Sequence, residues 1–174
     1  MLTFLRRFFA PALMLLIAMT VITGVAYPAL VTAVAQIAFN HQANGSMIVV
    51  DGKTVGSSLI GQAFSDDKYF WGRPSAAGTN GYDASGSAGS NLGPTSKALI
   101  DRIAAEVDRL RKASGGGAVP VDLVTTSASG LDPDISPAAA EYQVARVAKA
   151  RGMSQDAVRA AVARRSGHVA FPSG

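Results

Sequence analysis

Cysteine is absent from this chain of 174 residues, which excludes disulfide staples and thiolate chemistry and leaves the redox compartment unspecified. Histidine occurs only at His41 and His168, far apart and in polar surroundings, which argues against an imidazole metal site. Charge of one sign is scarce as well. There are 16 basic and 12 acidic residues, for a net +4, and Arg6 and Arg7 account for two of the basic ones at the N-terminus. The remainder carries about +2 with its signs interspersed, which excludes a nucleic-acid-binding stripe. The largest absence is local: residues 8–39 contain no Asp, Glu, Lys or Arg.

A bilayer core requires about 20 apolar residues of helix, so the uncharged run is long enough to span with a tilt. Arg6, Arg7 and the terminal amine flank one end, whereas the first basic residue beyond the other is Lys53. The positive-inside bias therefore keeps the N-terminus cytoplasmic and sends the rest outward. Pro28 falls late in the run and removes one helical hydrogen bond, predicting a kink or change of direction near Tyr27. Thr20 and Gly24 lie four apart on one face, a small-residue spacing that admits a neighbouring membrane helix. A cleaved signal peptide is the competing reading, because Ala33-Val34-Ala35 has the form of a cleavage site; the apolar run is about twice the usual signal length. The organisation expected is 1–7 cytoplasmic, 8–39 membrane helix and stalk, and 40–174 one extracytoplasmic domain.

That remainder, about 135 residues, suffices for one modest core. Segments 46–50 and 54–58 flank Asp51-Gly52, whose positive-φ tolerance predicts a hairpin. Phe64, Tyr69, Phe70 and Trp71 cluster in eight residues and are expected in the core. Residues 72–94 read GRPSAAGTNGYDASGSAGSNLGP, a long loop in which Arg73, Tyr82, Asp83 and Asn91 are placed for ordered contacts. Leu99, Ile100, Ile103, Val107 and Leu110 recur at helical spacing. Residues 121–125 are a candidate strand. Ser136-Pro137 opens a helix that Gly152 stops, and Ser154 caps a last one carrying Val158, Ala161 and Val162. The fold class predicted is α+β, with one N-terminal transmembrane helix, short strands and about three further helices.

Several motifs fail on inspection. Gly52-Lys53-Thr54 ends like a phosphate-cradling loop, but Met47 stands where that motif needs glycine, and a strand follows instead of a helix. Asp51-Gly52-Lys53-Thr54 is out of register for the phosphorylation site of P-type pumps. The last two helices, with Arg159, Arg164 and Arg165, have the outline of a helix-turn-helix, and a membrane-tethered regulator is one rival reading. A secreted binding domain is the other. A packed helical hairpin fits the low net charge better. No nucleophile elbow and no paired acid and base declare themselves, so an autonomous enzyme is not expected.

SLIGQ at 58–62, YFWGRPS at 69–75, SNLGP at 90–94 and VPVDLVTTSASGLDPDISPAAAEYQVARVAKAR at 119–151 follow in order after one apolar span. Together they resemble the C subunit of the bacterial Kdp potassium-transporting P-type ATPase, over about residues 13–165. The resemblance implies a non-catalytic accessory subunit of a high-affinity potassium import complex in the inner membrane. Its implied partners are a potassium-conducting chain, a P-type ATP-hydrolysing chain and a small stabilising chain. No cofactor is expected on this chain alone; ATP and potassium are implied through the complex. The family is described as raising the pump chain's affinity for ATP, which an outer domain cannot do by touching cytoplasmic nucleotide.

Under this resemblance Arg73, Asn91 and Asp132 are candidates for contact with the conducting chain or for the ion's path. Ser127, Gly130 and Gln143 loosely match the family's nucleotide proposal. The bland reading of these motifs is structural, with Gly61, Gly72, Gly93 and Gly130 permitting turns and Asp132 and Ser136 capping backbone amides. Two departures stand out. Ala88 replaces a usual glycine, and HVAFPSG at the end lacks the strand-like segment typical of the family, so a terminal strand is expected to be missing.

Overall fold

The computed structural model describes residues 2–166, with side chains from Arg7 onward. Two compact units divide after Ser57. His168 and the expectation of a missing terminal strand lie outside the described residues.

The first unit begins with helix α1 (Leu2–Val21), which carries Pro11 inside it, and continues as helix α2 (Tyr27–Ala38). Between them residues Ile22–Ala26 form a π-turn, and the Tyr27 N–H donates to the Ile22 carbonyl. This is where the sequence predicts trouble from Pro28. The helix gains one residue just before the ring, so the missing N–H is absorbed by a π-bulge with dihedrals that stay right-handed on both sides. The run Arg7–Ala38 is long and apolar enough to cross a membrane.

A single turn, α3 (Asn40–Ala43), follows, and then strands β1 (Met47–Val50) and β2 (Lys53–Ser57) pair antiparallel. Asp51 (φ 50°) and Gly52 (φ 74°) are both left-handed, the geometry that matches the twist of a two-residue hairpin. The predicted hairpin is therefore present. The Ser57 hydroxyl ties its base to the Gly45 carbonyl at 2.7 Å.

The second unit is built on helices α4 (Lys97–Ser114), α5 (Pro137–Arg151) and α6 (Gln155–Ser166). Helix α5 starts and stops as the sequence predicts. Ser136 caps it through the Ala139 N–H, and Gly152 ends it at φ 62°. Ser154 caps α6 through the Ala157 N–H at 3.2 Å. One core cluster joins Trp71, Leu110, Leu123, Val124 and Ala139, with Ile103 and Val107 packed against it. A second joins Val144, Val147, Ala148 and Val158 with Phe70.

Three expectations need correction. Residues 121–125 are not a strand: Val121–Leu123 form a 3-10 turn. Pro120 precedes it, the Val124 and Thr125 amides turn back to the Val121 carbonyl, and Asp122 is drawn to the Ser136 amide at 2.8 Å, so local bonds replace the ladder. Of the four clustered aromatics only Trp71 is buried, with Phe70 half-buried; Phe64 and Tyr69 lie on the surface with ring centroids 5.1 Å apart. Ile100, expected on the apolar face of its helix, is 56% exposed. It sits at the first turn, ahead of the core that Ile103, Val107 and Leu110 reach.

Candidate functional site

The second unit gathers three of the four motifs around one stretch of extended chain, residues 69–75. Trp71 anchors it. Its side chain is buried, and the guanidinium carbons of Arg109 and Arg146 lie 4.2 and 3.7 Å from the ring centroid. Its backbone is held by Gln143 of α5, which accepts from the Trp71 N–H at 2.8 Å and donates to the Trp71 carbonyl at 3.1 Å. Gln143 has no exposed surface; its amide also donates to the Ala139 carbonyl, and its oxygen accepts from Arg146 at 2.7 Å. Arg146 is itself buried and donates to the Asp67 and Tyr69 carbonyls. Burial lowers its guanidinium from the ordinary value, and the nearby Asp67 carboxylate opposes that shift.

Two residues along, Arg73 donates to the Asp132 carboxylate at 2.9 Å and to the Thr125 and Thr126 carbonyls at 3.4 and 3.2 Å. The structure thus brings Arg73 and Asp132 together as an ion pair whose side chains are about one-quarter exposed. Asp132 also accepts from the Asp134 N–H, the capping role its position suggests. Ser75 is a hub: its hydroxyl donates to the Gly130 carbonyl at 2.6 Å and accepts from the amides of Ala77 and Tyr82.

Tyr82, left-handed at φ 57°, donates its phenol to the Arg73 carbonyl at 2.6 Å. Burial raises its pKa, the Asp132 charge adds to the rise, and Arg73 opposes it. Its ring covers Gly61 so closely that a Cβ there would lie 2.5 Å from the ring and 2.6 Å from the Asp132 carbonyl. Gly130 meets both demands of a glycine at once: φ is 67°, and a Cβ would fall 2.6 Å from the Ala88 carbonyl.

The glycine-rich loop is therefore pinned to the turn at 125–131. The Ala88 amide and Ser87 hydroxyl donate to the Ser129 carbonyl at 3.0 and 2.9 Å. Asp83 caps a short 3-10 turn through the hydroxyl and amide of Ser85, and those two bonds hold its carboxyl below its ordinary value.

The remaining sequence candidates are scattered. Ser127 and Gly130 are both buried, and Gly130 lies against Ala77 and Ala88 of the loop. Asn91 is exposed in a left-handed turn and makes no side-chain hydrogen bond among the described residues. Thr20 and Gly24 lie in the first unit, with the Thr20 methyl 3.9 Å from where a Gly24 Cβ would be, as the shared helix face requires. An open polar cleft of about 350 Å³ is lined by Gln62, Arg73, Ser75, Asn80, Tyr82 and Arg109. Among the described residues, no group of three His, Asp or Glu is placed to hold a metal ion. Sequence reasoning passed over Arg109 and Arg146. The signal for Arg146 was its place three residues after Gln143, two polar side chains on a face of α5 otherwise made of alanine and valine.

The family model described as K+-transporting ATPase, c chain, matches residues 9–171. The sequence is 60% identical over 156 residues to a potassium-transporting ATPase KdpC subunit of Sorangium cellulosum (strain So ce56), covering 88% of this chain and 82% of that one. It is 57% identical over 160 residues to the KdpC subunit of Rhodopseudomonas palustris (strain BisB18), covering 86% and 80%. A third relative so named, from Polaromonas naphthalenivorans (strain CJ2), is 58% identical over 161 residues, covering 91% and 82%. With a match across nearly its whole length, this chain belongs to the family of K+-transporting ATPase c chains.

Proposed function

We propose that the chain is a single-span accessory subunit of an ATP-driven potassium import complex. Its N-terminus is cytoplasmic, its second unit lies outside the membrane, and ATP hydrolysis belongs to another chain. The observation that carries this reading is where the polar residues of the family motifs go. Arg73, Ser75, Asp132 and Gln143 are all engaged inside the domain, and Tyr82, from the loop between two motifs, is engaged with them. They build a rigid shape rather than a reactive centre. Asn91, in the SNLGP motif, is exposed beside the exposed Leu92 and makes no side-chain hydrogen bond among the described residues.

In this reading Asn91 and its loop contact the potassium-conducting chain, and the subunit's task is to assist assembly of that chain with the ATP-hydrolysing one. Arg73 and Asp132 act one step back, by fixing the loop. Thr20 and Gly24 are the contact points within the membrane. ATP and potassium are handled by the other chains, and any rise in the pump chain's ATP affinity is transmitted through protein, because Arg6 and Arg7 keep this domain on the far side from nucleotide.

Detergent purification followed by identification of the co-eluting chains tests assembly. Asn91→Ala is expected to weaken recovery of the conducting chain while leaving Trp71 fluorescence unchanged. Full recovery with Asn91→Ala would remove the loop from the interface. Orientation can be read cleanly because the chain has no cysteine: Lys112→Cys should react with a membrane-impermeant thiol reagent added outside intact cells. Labelling only after lysis would invert the topology.

A further inference from the structure

We propose that the Asn80–Gly81 step is a site of spontaneous covalent modification, at which Asn80 is converted to a mixture of aspartate and isoaspartate, while the second such step, Asn44–Gly45, is protected by its hydrogen bonds. The chain contains these two Asn-Gly pairs and no others. The reaction is intramolecular. The amide nitrogen of the glycine attacks the asparagine Cγ, a five-membered succinimide closes, and the side-chain nitrogen leaves as ammonia with the proton the glycine amide gives up. Water then opens either carbonyl of the ring, giving aspartate or, through the Cβ, isoaspartate. No oxidant or other co-reactant is needed.

Three conditions govern the rate: a following residue without a Cβ to block the attack, a side-chain amide free to turn onto the nitrogen, and a nitrogen free to attack. Both steps meet the first. They separate on the other two. Asn44 donates to the Asn40 carbonyl at 2.7 Å and to the Gln36 side chain at 3.2 Å, and its oxygen accepts from Gln36 at 3.4 Å. The nucleophile is also held, because the Gly45 N–H donates to the Gln42 carbonyl at 3.0 Å. Asn80 is exposed, with no hydrogen bond to its side chain or to the Gly81 N–H among the described residues. Asp51–Gly52 can close the same ring, but there the electrophile is a carboxyl group rather than a carboxamide, and a carboxylate is far the poorer target for the amide nitrogen.

The position gives the lesion a structural consequence. Isoaspartate routes the main chain through Cβ and lengthens it immediately before Gly81 and Tyr82. Tyr82 is held at both ends, by the Ser75 hydroxyl on its amide at 2.8 Å and by the Arg73 carbonyl on its phenol at 2.6 Å. Conversion also adds a negative charge to the cleft that Arg73 and Arg109 line.

The test is peptide mapping by mass spectrometry of the detergent-purified full chain, aged in warm, mildly alkaline buffer. The peptide with Asn80 should convert at least tenfold faster than the one with Asn44, giving two products of equal mass that separate on a column. In the urea-unfolded chain the two rates should converge. Gln36→Ala, at a half-buried position of α2, should speed Asn44 conversion several-fold and leave Asn80 unchanged. Equal rates in the folded chain, or Asn80 intact while the unfolded chain converts, would overturn the assignment. An Asn44 rate indifferent to Gln36→Ala would overturn the protection.

Discussion

Gln143 and Trp71 are joined by two hydrogen bonds in opposite directions, 2.8 Å from the Trp71 N–H and 3.1 Å to the Trp71 carbonyl, across 72 residues of sequence. A side-chain amide that answers both groups of one peptide substitutes for a neighbouring strand. This clasp lets an extended segment run against a helix with its polar backbone satisfied.

Replacing Gln143 with leucine keeps its bulk and removes all four of its bonds, leaving the Trp71 amide and carbonyl buried without partners. An unpaired buried group costs about 1–3 kcal/mol, so a loss of about 3 kcal/mol is expected. Denaturant unfolding of the full chain in detergent, followed by the fluorescence of Trp71, its sole tryptophan, measures it. A Gln143→Leu chain as stable as the parent would show the clasp to be dispensable. Gln143→Glu is expected to be destabilised as well, since a second oxygen would face the carbonyls of Trp71 and Ala139.

The Arg73–Asp132 pair calls for a double-mutant cycle, because Arg73 has other work. Asp132→Ala removes one bond of the guanidinium and one cap, whereas Arg73→Ala also strips donors from the Thr125 and Thr126 carbonyls. The coupling between the two is expected near 1 kcal/mol, as befits a partly exposed pair, with Arg73→Ala the more destructive single change. A coupling near zero with equal single effects would mean that the ion pair is incidental.

These two residues show what could be read in advance. Residue type and motif position singled out Arg73, Asp132 and Gln143, and capping chemistry placed both ends of α5, because those signals are local. What they would bind was not local. A lone cation in a glycine-rich loop reads as a site for a partner, and only the tertiary path shows that Asp132, 59 residues away, is that partner. The strand expected at 121–125 failed similarly: Val, Leu and Thr favour strands only where a neighbouring strand exists to pair, and Pro120 with Asp122 offered a turn instead. The hairpin at Asp51-Gly52 was legible because its turn demands a φ that few residues supply.

Gly61→Ala should be far more disruptive than an exposed glycine ordinarily allows. The new methyl would meet the Tyr82 ring and the Asp132 backbone carbonyl at 2.5 and 2.6 Å, and the carbonyl cannot swing away without disturbing Asp132. Overpacking of this kind costs about 1–3 kcal/mol. Unfolding of Gly61→Ala, compared with Gly52→Ala in the open hairpin turn, separates crowding from lost backbone freedom, since nothing lies within 4 Å of a Cβ at Gly52. A Gly61→Ala chain as stable as the parent would show that the ring and the carbonyl yield to the methyl.

Alkaline stability should report on Tyr82. Burial raises its pKa in the folded chain above the unfolded value of about 10, so folding favours the neutral phenol. Its contribution is whole below the unfolded pKa and is lost as pH rises through the folded one, where the phenolate would face the Arg73 carbonyl that now accepts its proton. Asp83 gives the opposite limb. Its pKa is lowered by the Ser85 bonds, so its contribution is present above the unfolded value and disappears as pH falls through the folded one. Tyr82→Phe is expected to lose about 1 kcal/mol at neutral pH, for the bond to Arg73, and to flatten the alkaline limb while leaving the acid limb intact. Stability measured across pH for the parent and Tyr82→Phe decides this; an alkaline limb unchanged by the substitution would show that Tyr82 does not set it.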